Sequence, residues 1–299
     1  MTSRLALRAP AKLNITLEIL GKLSSKLHAL RSVMVPITWY DEINVVFRPE
    51  NPGFTASHPA LEKDNLVLRA LKALDVNLNS VRIHLKKNIP MGAGLGGGSS
   101  DAASVLIAAC NGFFGETRDK DYVALAQTLG SDVSFFLAQT GALVEGTGER
   151  VTALGGLPAW WSVVVHPAIH IATASAYLDL DSSRTVGRAR KSRAVSVSLQ
   201  AVSALQAADF DAVENLLSND FQSLTATKYP PVQQALEALR GAGAKNPTLT
   251  GSGACVFALT QTQNEAREIC ARLQLPAAFG VRVAAFEQSS VWVSNGESS

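Results

Sequence analysis

Residues 92–100 read Gly-Ala-Gly-Leu-Gly-Gly-Gly-Ser-Ser, and no other stretch constrains the fold as tightly. Before it, Val81, Ile83 and Leu85 alternate with Arg82, His84 and Lys86, the period of a half-buried strand. After it, residues 102–109 are apolar nearly all round, which predicts a buried helix. Ser99 or Ser100 is the expected N-cap and Gly112 the stop. A glycine-rich loop between strand and helix gathers backbone N–H groups and the positive helix end at one point. Gly92, Gly94, Gly96, Gly97 and Gly98 let a phosphate approach without a Cβ in the way, and the two serines add hydroxyls. A turn that merely packs on the sheet is the weaker reading of five glycines followed by two serines.

Two common nucleotide patterns fail. Residues 92–97 fit G-x-G-x-x-G, but a dinucleotide fold needs an acidic residue roughly 20 positions on, closing a second strand. The nearest candidate, Glu116, stands in a polar turn, and no G-x-x-x-x-G-K-[ST] occurs. Elsewhere strands and helices mix without a regular βαβ period, so an α+β class is expected. Strands are read at 4–20, 33–38 and 42–47, the last two separated by Trp39-Tyr40-Asp41. Residues 21–26 are turn-like, and Asp64 is the expected cap of a helix over 65–74. A further helix is read over 119–129, ended by Gly130.

Residues 155–158, Gly-Gly-Leu-Pro, mark a boundary between domains 1–156 and 157–299. The second half reads as a strand at 161–166, a polar basic loop at 182–193, and helices near 199–206, 210–217 and 232–241. Strand, turn and strand follow at 248–250, Gly251-Ser252-Gly253 and 255–260, then a helix at 264–273 and strand from 280 to 293.

With 27 Lys plus Arg against 25 Asp plus Glu, the chain has no global field to draw nucleic acid or an anionic membrane. Cys110, Cys255 and Cys270 form no CxxC pair and read as small buried residues in a reducing cytosol. There is no signal-peptide core and no run of 18 apolar residues, so a soluble cytoplasmic protein is expected.

Residues 88–103 resemble the phosphate loop of the GHMP kinases, a family of small-molecule kinases. Pro10-Ala11-Lys12-Leu13-Asn14 resembles the family's first motif. Gly130-Ser131-Asp132-Val133-Ser134-Phe135-Phe136 is similar to its catalytic segment, where proline usually stands at 134. Glu145-Gly146-Thr147-Gly148-Glu149 and Leu249-Thr250-Gly251-Ser252-Gly253-Ala254 resemble two further motifs, so the resemblance spans nearly the whole chain. The triple glycine before Ser-Ser points to a branch whose acceptor is a cytidyl diphosphate polyol.

The resemblance implies a two-domain α+β fold. Its N-terminal α/β domain is of a kind also found in a ribosomal protein, and its C-terminal domain is ferredoxin-like. It also implies ATP, with Mg²⁺ between the β- and γ-phosphates. Asp132 is then the base that accepts the proton of the attacking hydroxyl; read alone, it is equally a helix N-cap. Lys12 stands beside that base, where an ammonium keeps the carboxylate ionised; read alone, it is an edge-strand lysine. Asn14, on the same face of the strand, is placed for substrate. Asn65, Lys87 and Pro90 join the glycines and serines around the nucleotide, although Lys87 reads as well as a solvated strand end. Ser100 could contact the metal, and Asp101 is a favourable first-turn charge before it is a Mg²⁺ aid. Gly251, Ser252 and Gly253 close the phosphate side or form a simple hairpin turn.

At the acceptor site the family usually has Asp-Gly-Tyr-His, where this chain has Ser25-Lys26-Leu27-His28. His28 could still hydrogen-bond a base, and Tyr177 falls at the second stacking position. Leu27 packs on a ring but does not stack. Weaker binding, a compensating aromatic such as Tyr40, or a different substrate are the open outcomes. The basic segment Arg184, Arg188, Arg190, Lys191 and Arg193 reads as a solvated loop.

Overall fold

The computed structural model describes residues 4–24, 27–115, 120–185, 196–288 and 293–296. The first half runs β1 (Arg4–Lys22), β2 (His28–Phe47), β3 (Gly53–Ala56), α1 (Leu66–Ala73), β4 (Val81–Lys86), α2 (Gly97–Cys110), α3 (Tyr122–Leu129), α4 (Val133–Leu137), β5 (Ala142–Gly146) and β6 (Arg150–Ala153). The second runs β7 (Trp161–His166), α5 (Thr173–Thr185), α6 (Val197–Gln206), α7 (Phe210–Leu216), β8 (Ser218–Asn219), α8 (Gln222–Lys228), α9 (Pro230–Gly241), β9 (Thr248–Leu249), β10 (Val256–Thr260), α10 (Gln263–Arg272), β11 (Gly280–Ala285) and β12 (Val293–Gly296).

Two sheets result. In the larger the order is β12-β1-β2-β4-β3, with β5 on β2, β6 on β5, and β8 parallel to β1. The smaller, β11-β7-β10-β9, is antiparallel throughout. The β1–β2 hairpin organises both cores. Leu5, Leu7, Leu17 and Ile19 of β1 pack with α2, whereas Ala11, Leu13 and Ile15 pack with Val164 of β7 and Phe257 of β10. Strand alternation therefore leaves Lys12 and Asn14 on the face opposite Ala11, Leu13 and Ile15.

The α+β class and the alternating β4 follow the sequence reading, and several details differ. β2 is one strand, not two, and Gly21 and Lys22 remain in β1. Opposite Pro10, which has no N–H to give a ladder, the register shifts from Tyr40 to Ile37, and a bulge absorbs the excess. The cap of α1 is Asn65, whose Oδ1 accepts from Leu68 N at 3.0 Å; Asp64 instead holds Arg69. α2 starts at Gly97, so Ser99 and Ser100 lie inside its first turn and do not cap it. Gly96 is the N-cap, in the left-handed region at φ +71°, and it gives no side-chain hydrogen bond to the helix end.

α3 starts at Tyr122 with Asp121 as its cap. α5 carries helix through residues 182–185, which the sequence reading put in a loop, and Arg188 to Arg193 lie outside the described residues. β11 ends at Ala285, and Val293 pairs with Leu7 in the other sheet. Cys110 is exposed rather than buried, because it ends α2, while Cys255 is buried. Among the described residues no helix is long and apolar enough to cross a membrane.

Candidate active site

A cleft of about 1300 Å³ opens between the phosphate loop, the β1–β2 hairpin, α4 and α5. Lys12, Asn14, Leu27, His28, Asn65 and Lys87 border it, as do Asp132, Tyr177, Gly251 and Ser252. Of the loop, Pro90, Gly92, Gly94, Gly96, Gly97, Gly98 and Ser99 face it. Ser100 and Gly253 do not. Ser100 is fully buried behind the loop with its Oγ unpartnered, and Gly253 sits against Leu249 and Ile171.

At Lys12, β1 pairs with β2 on one side, and on the other its backbone N–H donates to the Leu95 carbonyl of the loop, so Lys12 is not a solvated edge lysine. It is 2% exposed. Its Nζ donates to Asn14 Oδ1 at 2.5 Å and to the Gly94 carbonyl at 2.7 Å, and lies 3.9 Å from Asp132 Oδ2. Burial pulls the Lys12 ammonium below its usual range, and Asp132 opposes that pull. Asp132 takes the N-cap position of α4 without a capping hydrogen bond, so its carboxylate is not used up by the helix. The helix-cap and active-carboxylate readings are thereby separated. The position is that of a cap, and the side chain does not act as one.

The phosphate loop is locked against the turn at 250–253. A Cβ on Gly94, whose φ is +80°, would lie 2.1 Å from the Thr250 carbonyl oxygen, so only glycine permits this approach. Asn14 Oδ1 accepts from Gly251 N at 2.8 Å, and Asn14 Nδ2 donates to Ser32 Oγ at 2.8 Å. Asn219 Nδ2 donates to the Gly251 carbonyl from the other side. The turn joins two antiparallel strands, as a hairpin turn does, and it also forms a wall of the cleft.

Lys87 is not a solvated strand end. Its side chain is 4% exposed, and Nζ pairs with Asp41 and, at 2.6 Å, with Asp101 Oδ2. Burial alone would lower this ammonium; Asp101 and Asp41 outweigh it and hold it above its usual value. Asp101 is not a first-turn surface charge either, because α2 begins three or four residues earlier than expected and Asp101 is buried beyond its first turn. Burial, with the charge of Asp41, pushes its carboxyl up to about 8 against the pull of Lys87.

At the far end of the cleft the His28 ring stacks on Tyr177, centroids 4.6 Å apart and planes at 23°. Tyr177 meets Phe221 edge to face at 5.0 Å. His28 Nε2 lies 2.6 Å from Asp181 Oδ1, and Lys22 Nζ donates to Asp181 Oδ2 at 2.7 Å. Hydrogen bonds from Lys22 and His28 hold the Asp181 carboxyl below its ordinary value. Leu27 is 56% exposed on the rim. Tyr40 is not the compensating aromatic: it hydrogen-bonds Glu287 and lies under Arg8, outside the cleft lining.

Sequence reading missed Asp41, Asp181 and Thr250. Only Asp41 left a signal, an acid between the two strand segments read at 33–38 and 42–47.

Comparison with known proteins gives matches over both halves. The GHMP kinases N terminal domain matches residues 65–140, and the GHMP kinases C terminal domain matches residues 201–277. The chain is 35% identical to the 4-diphosphocytidyl-2-C-methyl-D-erythritol kinase of Geobacter sp. (strain M21), over 91% of this chain and 95% of that one. It is 37% identical to the enzyme of the same name from Chlorobium luteolum, over 90% of this chain and 93% of that one. A crystal structure of a 4-(cytidine 5'-diphospho)-2C-methyl-D-erythritol kinase superposes with a TM-score of 0.74 at 29% identity, covering 94% of this chain and 100% of the other. A mevalonate kinase of L. major shares the fold alone, with a TM-score of 0.71 at 17% identity, covering 96% and 97%. The fold is thus the two-domain one of these enzymes, an N-terminal α/β domain followed by a C-terminal α+β domain. The chain belongs to the GHMP kinase superfamily, a family of small-molecule kinases, and within it is most similar to the 4-diphosphocytidyl-2-C-methyl-D-erythritol kinases.

Proposed function

We propose that the chain transfers the γ-phosphoryl group of ATP to the 2-hydroxyl of 4-diphosphocytidyl-2-C-methyl-D-erythritol, giving the 2-phosphate and ADP. The observation that carries this reading is the buried Lys12 beside the uncapped Asp132 in the same cleft as the glycine loop, in a chain 35% identical to kinases of that substrate.

Phosphoryl transfer asks for positioning and charge stabilisation more than covalent chemistry. The uncapped start of α2 and the bare glycines offer N–H groups to the phosphates. Asp132 accepts the proton of the 2-hydroxyl as its oxygen bonds to the γ-phosphorus, and the bond to the β-phosphate oxygen breaks, releasing ADP. Lys12, held by Asn14 and Gly94, offsets negative charge on the attacking oxygen. Asn65, Lys87 and Pro90 frame the nucleoside end, while Leu27, His28 and Tyr177 frame the cytidine end.

Mg²⁺ fits a cleft of this kind as an ion that arrives on the nucleotide, since it commonly takes few protein ligands beside phosphate oxygens. Ser100, the contact expected for it, is buried behind the loop and does not border the cleft, so it does not reach the ion in this arrangement. When bound, the ion would supply charge against the β- and γ-phosphates.

One observation favours a second reading, another GHMP-type acceptor without cytidine: Leu27 replaces a stacking ring, and Tyr177 already stacks on His28. Phosphorus NMR of the protein with ATP, Mg²⁺ and the cytidyl substrate tests the first reading. A new phosphomonoester resonance supports it, and ATP unchanged but for hydrolysis refutes it.

A further inference from the structure

Asp41 lies within β2, is fully buried at 0% exposure, and is not among the residues bordering the cleft. Its carboxylate nonetheless touches the chain on both sides of the phosphate loop. Oδ1 accepts from the backbone N–H of Asn88 at 2.6 Å and of Ile89 at 2.8 Å, immediately before the loop. Oδ2 accepts from Lys87 Nζ, which also donates to Asp101 Oδ2 at 2.6 Å on α2, the helix that follows the loop. A Cβ on Gly97, in the first turn of α2, would lie 3.0 Å from the same Oδ2. One carboxylate thus abuts residues 88 and 89 at the entry and residue 97 at the exit, and reaches Asp101 through Lys87.

We propose that Asp41 is a positioning residue of the phosphate loop: it fixes the two ends of the loop relative to each other and so sets the affinity for the nucleotide's phosphates without touching them. The proposal rests on the reading of that loop as the ATP site. Its physical basis is entropic. A run of glycines has more conformational freedom to lose than other sequences, and a loop ordered in advance spares that cost on binding. A buried charge network is by itself weak evidence for stability, so a purely structural role is not the default.

Two variants and two readouts test it. Asp41→Ala removes every contact and leaves Lys87 paired with Asp101, so the buried charges stay balanced. Asp41→Asn keeps an oxygen for the two N–H groups and loses the acceptor for Lys87. Hydrogen exchange of residues 88–96, without nucleotide or acceptor, should accelerate about tenfold or more in Asp41→Ala, matching the loss of a hydrogen bond to a charged group. Residues 161–166 should keep the wild-type rate. KM for ATP should rise about tenfold or more, with kcat and the acceptor KM within about threefold, and Asp41→Asn should fall between. Should Asp41→Ala not fold, the same two readouts on Asp41→Asn decide.

Wild-type exchange in the loop overturns the proposal. So does an equal rise of both KM values, or a fall in kcat alone, which a merely structural role would give. Faster loop exchange in a protein that turns over no acceptor would refute the kinase reading and leave the positioning role standing.

Discussion

Replacing Asp132 by Asn changes one atom of the proposed proton acceptor and little else. Asp132 makes no capping hydrogen bond, so α4 should lose nothing at its N-terminus. The ion pair with Lys12 spans 3.9 Å, with the Lys12 side chain 3% and that of Asp132 30% exposed, so the variant leaves a buried ammonium less compensated and should lose some stability. Lys12 keeps Asn14 Oδ1 and the Gly94 carbonyl as acceptors. Turnover is another matter: loss of a positioned general base costs about 10²–10⁴-fold, equivalent to about 3–5 kcal/mol of transition-state stabilisation. The assay is steady-state ADP release, with ATP affinity by calorimetry and stability by urea denaturation. The variant should bind ATP within about threefold of wild type, since the loop is untouched, and lose at least about a hundredfold in kcat. Turnover within about threefold of wild type would show that no proton passes to Asp132, and the roles given to Lys12 and Asp132 would fall together.

Three other expectations follow from particular contacts. Gly94→Ala must hold φ near +80° and place a Cβ against the Thr250 carbonyl; strain and overpacking should cost about 2–5 kcal/mol in urea denaturation and weaken ATP binding, and a loss under about 0.5 kcal/mol would refute the loop-to-turn lock. Asp101→Asn should change how stability depends on pH. The folded state raises this carboxyl from 3.8 to about 8, so native Asp101 keeps its proton while the unfolded chain releases it. Asp101 thus makes wild-type stability fall with rising pH across that window, by about 1.4 kcal/mol per unit where the difference is one whole proton. Its stability is full below the unfolded value and lost by the folded one. Lys87 and Asp41 are the charged groups that face it. The Asn variant lacks this slope, so its stability relative to wild type should climb from pH 4.5 to pH 8, and a constant difference would contradict the buried proton. Leu27→Tyr should lower KM for the cytidyl acceptor about tenfold, as one base stack is worth roughly 1–3 kcal/mol; no change would place the base elsewhere.

Local pattern was legible where local physics decides. The alternation of residues 81–86 gave β4 its bounds, because one face is buried and the other wet. The glycines and serines of 92–100 marked the loop. The start of α2 was misread because a left-handed Gly96 replaced the usual side-chain cap, and capping chemistry favours serine over glycine. That shift also moved Asp101 from an expected surface turn into the interior. Asp41 was illegible as a loop anchor, since its partners at 87–89 lie some forty-six positions away and come together only when β2 pairs with β4. The unbroken β2 was hidden for a related reason: Trp39-Tyr40-Asp41 reads as a break, yet Tyr40 and Asp41 pair with Pro10 and Ala9 of β1 and carry the strand through. Tyr177 was placed by resemblance alone, and its stacking on His28 depends on α5, a helix that had no clear period.

The measurement that bears most directly on the central claim is ADP release with ATP and Mg²⁺, comparing 4-diphosphocytidyl-2-C-methyl-D-erythritol with mevalonate, phosphomevalonate and homoserine. Turnover with the cytidyl acceptor alone is the predicted result, and it would show that a base is held with Leu27 on the rim. Turnover with one of the other acceptors, or with none, would contradict the account.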